Sequence, residues 1–403
     1  MLQLTKTKSV RHCPLCFGES VHLLHTGTFC LPEGHPLEAT IRVVSCVQCG
    51  FCFNDTSCKR ADYDQYYREV SKYTDPRLSS GSGAKKEDSN RLDKTAKQIS
   101  DFVESPTTRI LDVGCGVGGL LDSLSGLGFI SLAGMDPAPA CAVEVTRRGH
   151  RGIVGTLDDH PLGEGSSFDG ILLSHVLEHV REIDSALDSV RRMLSNCGWI
   201  YVEVPDAARY GECLIAPYQD FNLEHINHFT AESLKNLLEF HGWKVDCRGK
   251  KTLCLGRDQV YPAVYAFGRM VPPLKGTLDR CDNESLLAYI SLSDYKIQRI
   301  NKFLERNLVS GRPIFVWGVG QFTMRLLGET SLGHANILAF VDSNPIHHGK
   351  RLMQRPIIAP TELHRHESSG VSILIGSLVN LESIEETIRE FGFWNPIINL
   401  SKI

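Results

Sequence analysis

The chain has 403 residues, of which 42% are hydrophobic, and this length predicts two or three domains rather than a single core. Its formal net charge of −4 offers no broad attraction to phosphate backbones, which disfavours a nucleic acid as substrate or partner. No uncharged stretch is long enough to span a membrane, and the first residues lack the basic flank and apolar run of a secretion signal. We therefore expect a soluble, cytoplasmic protein.

Fourteen cysteines are present, and seven of them precede residue 60. Two C-x-x-C pairs, Cys13/Cys16 and Cys46/Cys49, bracket a segment of roughly thirty residues. Four thiolates in this pattern predict a closed, tetrahedral zinc site with a structural role, in a module over residues 1–60. Ordinary reduced cysteines in a small core are the other interpretation. Three further cysteines are alternatives for one ligand: Cys30, Cys52 and Cys58.

Residues 61–105 follow as a polar segment, which we predict to be a helical connector with a flexible break. The break is the run of serine and glycine at 79–83. Four tyrosines precede it: Tyr63, Tyr66, Tyr67 and Tyr73. The sequence leaves open whether these side chains pack against a domain or line a ligand cleft.

Arg109–Val113 is predicted to be a strand that leads directly into the glycine-rich turn Gly114–Gly119 and then into a helix. Nicotinamide and flavin sites use similar glycines to hold a pyrophosphate. Asp112 favours a different ligand, because a carboxylate repels a pyrophosphate but attracts a sulfonium and an amino group. The next strand, Ser131–Met135, ends at Asp136, which is placed to accept hydrogen bonds from two ribose hydroxyls.

This pattern resembles the first motif of class I S-adenosylmethionine-dependent methyltransferases, and it predicts a doubly wound, Rossmann-like α/β domain over residues 106–250. Strands at 168–175 and 198–205, with a helix at 184–194 between them and another at 231–241, continue the required alternation. A Rossmann-like domain that binds another nucleotide is the alternative. The predicted cofactor contacts are Asp112, Gly114, Gly116, Gly118, Asp136, Pro137, Thr156, Leu157, Ser174 and His175.

Histidines follow two of these elements near the carboxyl edge of the sheet, where ligands bind in open α/β folds. His225 stands beside Glu224, and His179 follows the fourth strand. Methyl transfer requires an aligned acceptor and, where the acceptor is weakly acidic, a base, for which histidine is suited near neutral pH. We predict that His225 contacts the acceptor. For each of these histidines, and for His228, hydrogen bonding that only holds the loop is the alternative.

Residues 251–403 are predicted to form a helical segment followed by a second Rossmann-like domain. Leu286–Leu304 has the spacing of an amphipathic helix. A strand at Pro313–Trp317 leads into Gly318 and a helix, and a further strand ends at Asp342. A tryptophan rather than a carboxylate precedes the first glycine, which disfavours a second methyl-donor site. We interpret this unit as a scaffold or as part of an acceptor site.

The order of the four-cysteine module, the class I domain, the Glu224–His225 pair and the second Rossmann-like unit resembles the sugar C-methyltransferase family. The resemblance implies structural zinc and a nucleotide-linked keto-deoxysugar held between the middle and C-terminal domains. It also implies that His225 is the base that removes a proton beside the keto group, with Glu224 and His179 in the active site. The tyrosine that the family often has two residues before the glutamate is Asn222 here, and the segment Glu224–Phe229 also recurs in methyltransferases of other acceptors.

Three hypotheses follow. The leading one is C-methylation of a nucleotide-sugar with His225 as general base and Glu224 orienting it. The second is O- or N-methylation of another small metabolite, in which the acceptor is already nucleophilic. The third is a zinc-ribbon protein that binds nucleic acid or senses nucleotides, which the acidic charge and the lack of a basic run interleaved with aromatics oppose. The sequence leaves the methylated atom and the choice between monomer and homodimer open.

Overall fold

The computed structural model describes residues 5–70, 86–103, 105–162, 167–254, 259–272, 278–308, 311–366, 371–401 and 403. The predicted break at 79–83 and Tyr73 lie outside these residues. None of the helices in this part of the chain has the length and apolar character that crossing a bilayer requires. The chain divides into two compact units, the first made of residues 1–24, 43–213 and 224–286, and the second of residues 25–42, 214–223 and 287–403.

The N-terminal strands bring the two C-x-x-C pairs into neighbouring turns. The strands are β1 (Lys6–Lys8), β2 (Ser20–Thr28), β3 (Thr40–Cys46) and β4 (Cys52–Asn54). β3 and β4 pair antiparallel, and Gly50 turns the chain between them with a φ of 78°, a conformation that a side chain would strain. Cys46 ends β3 and Cys49 lies in this turn, whereas Cys13 and Cys16 lie in the loop between β1 and β2.

A seven-stranded sheet forms the centre of the first unit. The elements in and around it are α1 (Arg60–Glu69), α2 (Lys86–Phe102), β5 (Arg109–Val113), α3 (Gly119–Gly126), β6 (Ser131–Asp136), α4 (Pro139–Arg147), β7 (Arg151–Val154), β8 (Phe168–Ser174), α5 (Ile183–Met193), β9 (Leu194–Pro205), β10 (Asn227–His228), α6 (Ala231–Phe240), β11 (Trp243–Cys254) and β12 (Val260–Met270). The strand order is β7-β6-β5-β8-β9-β12-β11. β5 to β9 run parallel, and β12 is inserted antiparallel between β9 and β11. The prediction of a doubly wound α/β fold is confirmed.

Local sequence explains why these elements form. β5 and β8 are buried along most of their length, and their buried positions are apolar except for Asp112, as parallel strands between helices require. α5 buries Ile183, Leu187 and Val190, whose spacing places them on one helical face toward the sheet. α6 begins after Thr230, whose hydroxyl accepts a hydrogen bond from the Ser233 amide at 3.2 Å.

The segment after residue 250 differs most from the predicted organisation. The sequence shows no clear order between residues 250 and 282 beyond one strand near 264–267, whereas the structure has a long antiparallel hairpin of β11 and β12 in the central sheet. β11 is an edge strand, and many of its exposed positions carry charged residues, so its apolar alternation is weak. The predicted boundary at residue 250 therefore falls inside a strand.

The second unit contains a six-stranded sheet. The elements after β12 are α7 (Glu284–Leu308), β13 (Ile314–Trp317), α8 (Gln321–Glu329), β14 (Ile337–Val341), β15 (Arg351–Leu352), β16 (Arg355–Ile358), β17 (Ser372–Ile375), α9 (Leu381–Glu390) and β18 (Ile397–Ile398). The order is β15-β16-β14-β13-β17-β18, with all pairs parallel except β15 and β16. The prediction of a second Rossmann-like domain is confirmed. Asp342, after β14, accepts hydrogen bonds from the amides of Val319 at 2.7 Å and Asn344 at 2.8 Å.

Buried Arg325 of α8 explains why two distant segments belong to the second unit. Its side chain is 1% exposed and donates a hydrogen bond to the backbone oxygen of Phe221. Its Nη1 lies 2.9 Å from Glu329 Oε1, and the guanidinium lies 5.0 Å from the ring centroid of Tyr218 and 4.6 Å from that of Phe29. A buried cation is stable only with such partners, and both outlying segments supply them.

Candidate functional site

The glycine-rich turn between β5 and α3 has a backbone that requires glycine. Gly114, Gly116 and Gly118 have φ values of 69°, 51° and 86°, which other residues rarely adopt. A Cβ on Gly114 would stand 2.9 Å from Val176 Cγ2, and one on Gly118 would stand 3.1 Å from Val145 Cγ2. The predicted arrangement of strand, turn and helix is therefore present, and the missing side chains leave the backbone of the turn open to a ligand.

Two buried carboxylates stand near the carboxyl ends of β5 and β6. Asp136 accepts hydrogen bonds from the amides of Gly116 at 3.0 Å and Ala138 at 2.9 Å, which ties the glycine turn to β6. Asp112 is 3% exposed, and burial, followed by the charge of Asp136, raises its pKa to about 8. A cation beside such a carboxylate stabilises its ionised form, so this site suits a ligand with a positive group.

These residues open onto a cavity of about 510 Å³ in the first unit, a volume typical of small-molecule sites. The predicted cofactor contacts that line it are Asp112, Gly114, Gly116, Asp136, Pro137, Thr156, Leu157, Ser174 and His175. Gly118 stands outside the described wall, because it precedes α3 as its N-cap and packs against Val145. His179 and His225 line the same cavity.

The two predicted active-site histidines meet in this wall. The ring centroids of His179 and His225 are 4.9 Å apart, with the ring planes at 71°. His179 Nδ1 donates a hydrogen bond to the backbone oxygen of Glu224 at 3.0 Å. The Glu224 carboxylate stands outside the described cavity wall and accepts a hydrogen bond from the Tyr66 hydroxyl at 2.8 Å. Glu224 thus orients His179 through its backbone.

His228 lies away from the described cavity wall. Its side chain is 1% exposed, with Nδ1 3.4 Å from the Tyr210 hydroxyl and Nε2 3.4 Å from Asn54 Oδ1. Burial, followed by the charge of Arg11, lowers the pKa of His228 to about 3, so the ring is neutral at physiological pH. These contacts support a structural role.

His175, directly after β8, belongs to a buried ionic network. Its Nδ1 lies 3.2 Å from Glu178 Oε1, and its Nε2 lies 3.3 Å from Glu203 Oε1. Burial alone would lower the pKa of His175, but the two carboxylates outweigh it and raise the pKa to about 9. Lys251 Nζ contacts the second oxygen of Glu203 and donates to the Tyr201 hydroxyl at 2.8 Å. Both ring nitrogens of His175 therefore face protein carboxylates, which leaves its ring edge and backbone for contact with a ligand.

Lys251→Met is expected to lower the free energy of unfolding by roughly 3–5 kcal/mol, because it removes one partner from a buried ion pair. Glu203 is fully buried, and His175 would remain as its cationic partner among the described residues. Chemical denaturation at neutral pH measures the change. Lys97→Met is the matched control, because Lys97 pairs with Asp101 at the surface and should cost less than about 1 kcal/mol. Equal losses in the two variants would contradict a stabilising network.

The four paired cysteines form one cluster. Sγ atoms of Cys13, Cys16, Cys46 and Cys49 all lie within 4.8 Å of one another. Cys13 and Cys49 are 3.6 Å apart at sulfur, and Cys16 and Cys46 are 3.5 Å apart. A tetrahedral zinc ion with bonds of about 2.3 Å separates its sulfurs by about 3.8 Å. The cluster therefore fits a zinc ion closely.

The three alternative cysteines stand apart from this cluster. Cys52 Sγ lies 3.1 Å from Asn283 Oδ1, with which it forms a hydrogen bond. Within the described part of the chain, neither Cys30 nor Cys58 joins a group of potential metal ligands. The geometry thus favours the two C-x-x-C pairs over any mixed set.

Several residues of the cavity wall were not predicted from the sequence. They are Arg60 at the start of α1, Arg91 and Leu92 of α2, and Leu253 and Tyr261 of the β11–β12 hairpin. Of the tyrosines that the sequence left open, two line the cavity and Tyr66 reaches Glu224. A usable signal was present at Glu203, because a carboxylate inside an apolar strand requires a buried partner.

Comparison with known proteins agrees with this arrangement. Residues 80–248 match a family model described as a methyltransferase domain, which confirms the predicted enzyme class for this part of the chain. A stretch of 82 residues, 19% of the chain, is 40% identical to the ubiquinone biosynthesis O-methyltransferase of Methylocella silvestris. The stretch covers 31% of that enzyme, so the chain spans about a third of the length of the curated relative.

Two solved structures are similar over about half of the chain. The PH0226 protein from Pyrococcus horikoshii is 19% identical over 51% of this chain and 98% of its own, with a TM-score of 0.39. A SAM-dependent methyltransferase from Methanosarcina mazei is 17% identical over 43% of this chain and 97% of its own, with a TM-score of 0.37. The fold assignment above rests on the strand order of the central sheet.

Proposed function

We propose that the chain, whose residues 80–248 match the methyltransferase domain, transfers a methyl group from S-adenosylmethionine to a small molecule. One observation carries this proposal: a single cavity is lined both by the residues of the glycine-rich turn and by the histidine pair. Asp112 would hold the amino group of the donor, and Asp136 would hold its ribose. When bound, S-adenosylmethionine supplies an electrophilic methyl group.

The acceptor would lie beside His179 and His225, where we assign His225 as the general base. A base within reach of the acceptor is needed if the methylated atom is a weakly acidic carbon, as in a nucleotide-linked keto-deoxysugar. The four-cysteine cluster and the second Rossmann-like unit support this acceptor class, since the sequence resembles sugar C-methyltransferases in the same order of modules. The Tyr66 hydroxyl donates a hydrogen bond to the Glu224 carboxylate at 2.8 Å.

O-methylation of another metabolite is the second candidate. The name of the curated relative, an O-methyltransferase, favours it, although the match is confined to 82 residues. A hydroxyl acceptor is more acidic than a carbon, so His225 would mainly position it. The same cavity would serve both reactions.

Incubation with methyl-labelled S-adenosylmethionine and a panel of nucleotide-linked keto-sugars and hydroxylated metabolites tests the proposal, with mass spectrometry of the products. Label on a sugar carbon supports C-methylation, and label on an oxygen or nitrogen supports the second candidate. If the folded chain binds the donor but labels no member of the panel, the proposed acceptor classes are wrong.

We also propose that the four-cysteine cluster holds a structural zinc ion. Four thiolates fill the coordination shell and leave no position for water, so the ion would take no part in the transfer. The sulfur separations described above support this assignment. Zinc would supply folding energy to the N-terminal turns.

Asp112→Asn is expected to weaken donor binding by roughly 10–100-fold, the worth of a hydrogen bond to a charged group. Because the ionised form of Asp112 pairs with the donor, binding releases a proton below the pKa of about 8. The apparent dissociation constant of the wild type should therefore fall as pH rises, by at most about tenfold per unit, and level off above about pH 8.

Calorimetry with S-adenosylhomocysteine across this pH range measures both effects. The Asn variant retains only the pH dependence that the ligand itself contributes. Asp169→Asn is the control, because Asp169 pairs with Arg109 at the opposite end of the sheet strands. An affinity and pH slope unchanged by Asp112→Asn would contradict the assignment.

A further inference from the structure

A buried arginine of the N-terminal module lies between the two segments that carry the cavity histidines. Arg11 is 2% exposed. Its Nη2 donates hydrogen bonds to the backbone oxygen of Arg181 at 3.0 Å and to Asn227 Oδ1 at 2.9 Å. Its Nη1 donates to the backbone oxygen of Ile226 at 3.4 Å. One guanidinium therefore joins the turn after β8 to the segment that enters β10.

Asn227 completes this connection from the other side. Its Nδ2 donates to the backbone oxygens of Leu177 and Val180, both at 2.8 Å, and its backbone N–H donates to the backbone oxygen of Glu178 at 3.1 Å. These three carbonyls belong to residues that stand shortly before or after His179 in the sequence. The side chains of Arg11 and Asn227 thus hydrogen-bond to backbone oxygens of both segments, and the loss of such bonds costs stability.

The cysteine module reaches His225 by a second route. β4 pairs antiparallel with β10, and the Asn54 side chain donates a hydrogen bond to the backbone oxygen of His225 at 3.2 Å. Arg11 itself is held by Asp55, whose Oδ1 accepts from the Arg11 amide at 3.0 Å. The module that carries the cysteines is therefore continuous with the segment that carries the proposed base.

We propose that Arg11 and Asn227 are positioning residues that hold His179 and His225 at the separation methyl transfer needs. This inference rests on the proposed function. The guanidinium is suited to the task because its planar fork presents several N–H groups in fixed directions, so one side chain bridges two segments. Lysine has the charge without the fork and cannot keep both connections. The cysteine module therefore acts on the site through Arg11, at a distance from the acceptor.

Arg11→Lys tests this, with Arg191→Lys as the matched control. Arg191 also donates to backbone oxygens, those of His241, Gly242 and Val271, but lies away from the cavity wall. Histidine-selective isotope labelling allows NMR to detect the contact between the two rings, assigned with His179→Gln and His225→Gln. We expect the NMR cross-peak between the His179 and His225 rings to vanish in Arg11→Lys and to persist in Arg191→Lys. Both variants should keep zinc and bind S-adenosylhomocysteine with an affinity within about twofold of the wild type.

With an acceptor from the labelling panel, kcat of Arg11→Lys should fall by roughly 10–100-fold at unchanged KM for the donor, since small misplacements of a catalytic group cost this much. If Arg11→Lys does not fold, Asn227→Asp is the second test. This variant keeps the acceptor oxygen for Arg11 but removes the Nδ2 donor, and it should lose the contact between the two histidine rings. A cross-peak that persists in the folded variant, or that Arg191→Lys loses equally, overturns the proposal. Because the NMR measurement needs no turnover, failure of the methyltransferase assay alone would count against the proposed function and leave this inference standing.

Discussion

Cys46→Ser is expected to release zinc from the purified chain and to unfold the N-terminal turns of the first unit. Serine does not replace a thiolate in a four-sulfur site, and structural zinc contributes about 10–16 kcal/mol to the folding of small zinc peptides. Here the effect extends further, because Cys13, Cys46 and Cys49 belong to the same buried cluster as residues of the central sheet. A lower melting temperature of the whole unit should therefore accompany metal loss.

Metal analysis and thermal unfolding, performed side by side, measure these two effects. Cys52→Ser is the matched control, since Cys52 is equally buried and close in sequence but bonds to Asn283. The control should keep one zinc ion per chain. A wild-type protein without zinc, or zinc retained in Cys46→Ser and lost in Cys52→Ser, would show that the ligand set is wrong.

His225→Gln is expected to lower kcat by about 10²–10⁴-fold for a carbon acceptor, the usual contribution of a general base. Glutamine keeps a polar side chain of similar length but accepts no proton in this pH range. His225 forms part of the cavity wall rather than of the glycine-rich turn, so affinity for S-adenosylhomocysteine should change little. Initial rates as a function of pH, with the acceptor that the panel identifies, measure the loss.

The shape of the pH profile separates the two candidate reactions. A small loss that disappears at high pH indicates an acceptor that ionises by itself, which favours O-methylation. His12→Gln is the control for replacing a histidine, because His12 is largely exposed. If His225→Gln and His12→Gln turn over at the wild-type rate at every pH, His225 is not the base.

The central sheet could be predicted because its signals are local. β5, its glycine turn and α3 follow one another without interruption, and Asp136 ends the next strand where the fold requires an acid. The clustering of the four cysteines could be predicted equally well, since the spacing within each C-x-x-C pair reflects the short turn that the pair forms. By the same local reasoning, Trp317 in place of an acid disfavours a second methyl-donor site at Gly318, and this stays a prediction.

Partners that lie far apart in sequence could not be predicted. Residues 25–42 and 214–223 join the second unit through Arg325, which has no distinguishing pattern in α8. Lys251 is an ordinary lysine in a strand with weak alternation until Glu203 and Tyr201 are seen beside it. Arg11 likewise gains its importance only from carbonyls contributed by residues more than a hundred positions away. Hydrophobic periodicity indicates which face of a helix or strand is buried, whereas these contacts depend on tertiary packing.

A crystal structure of the chain with S-adenosylhomocysteine tests the central claim most directly, namely that the cavity at the glycine-rich turn is the donor site. The ligand is predicted to place its amino group within hydrogen-bonding distance of the Asp112 carboxylate and its ribose hydroxyls on Asp136. Its sulfur should face the part of the wall that His179 and His225 form. A ligand bound outside this cavity, or no bound ligand at saturating concentration, would contradict the account.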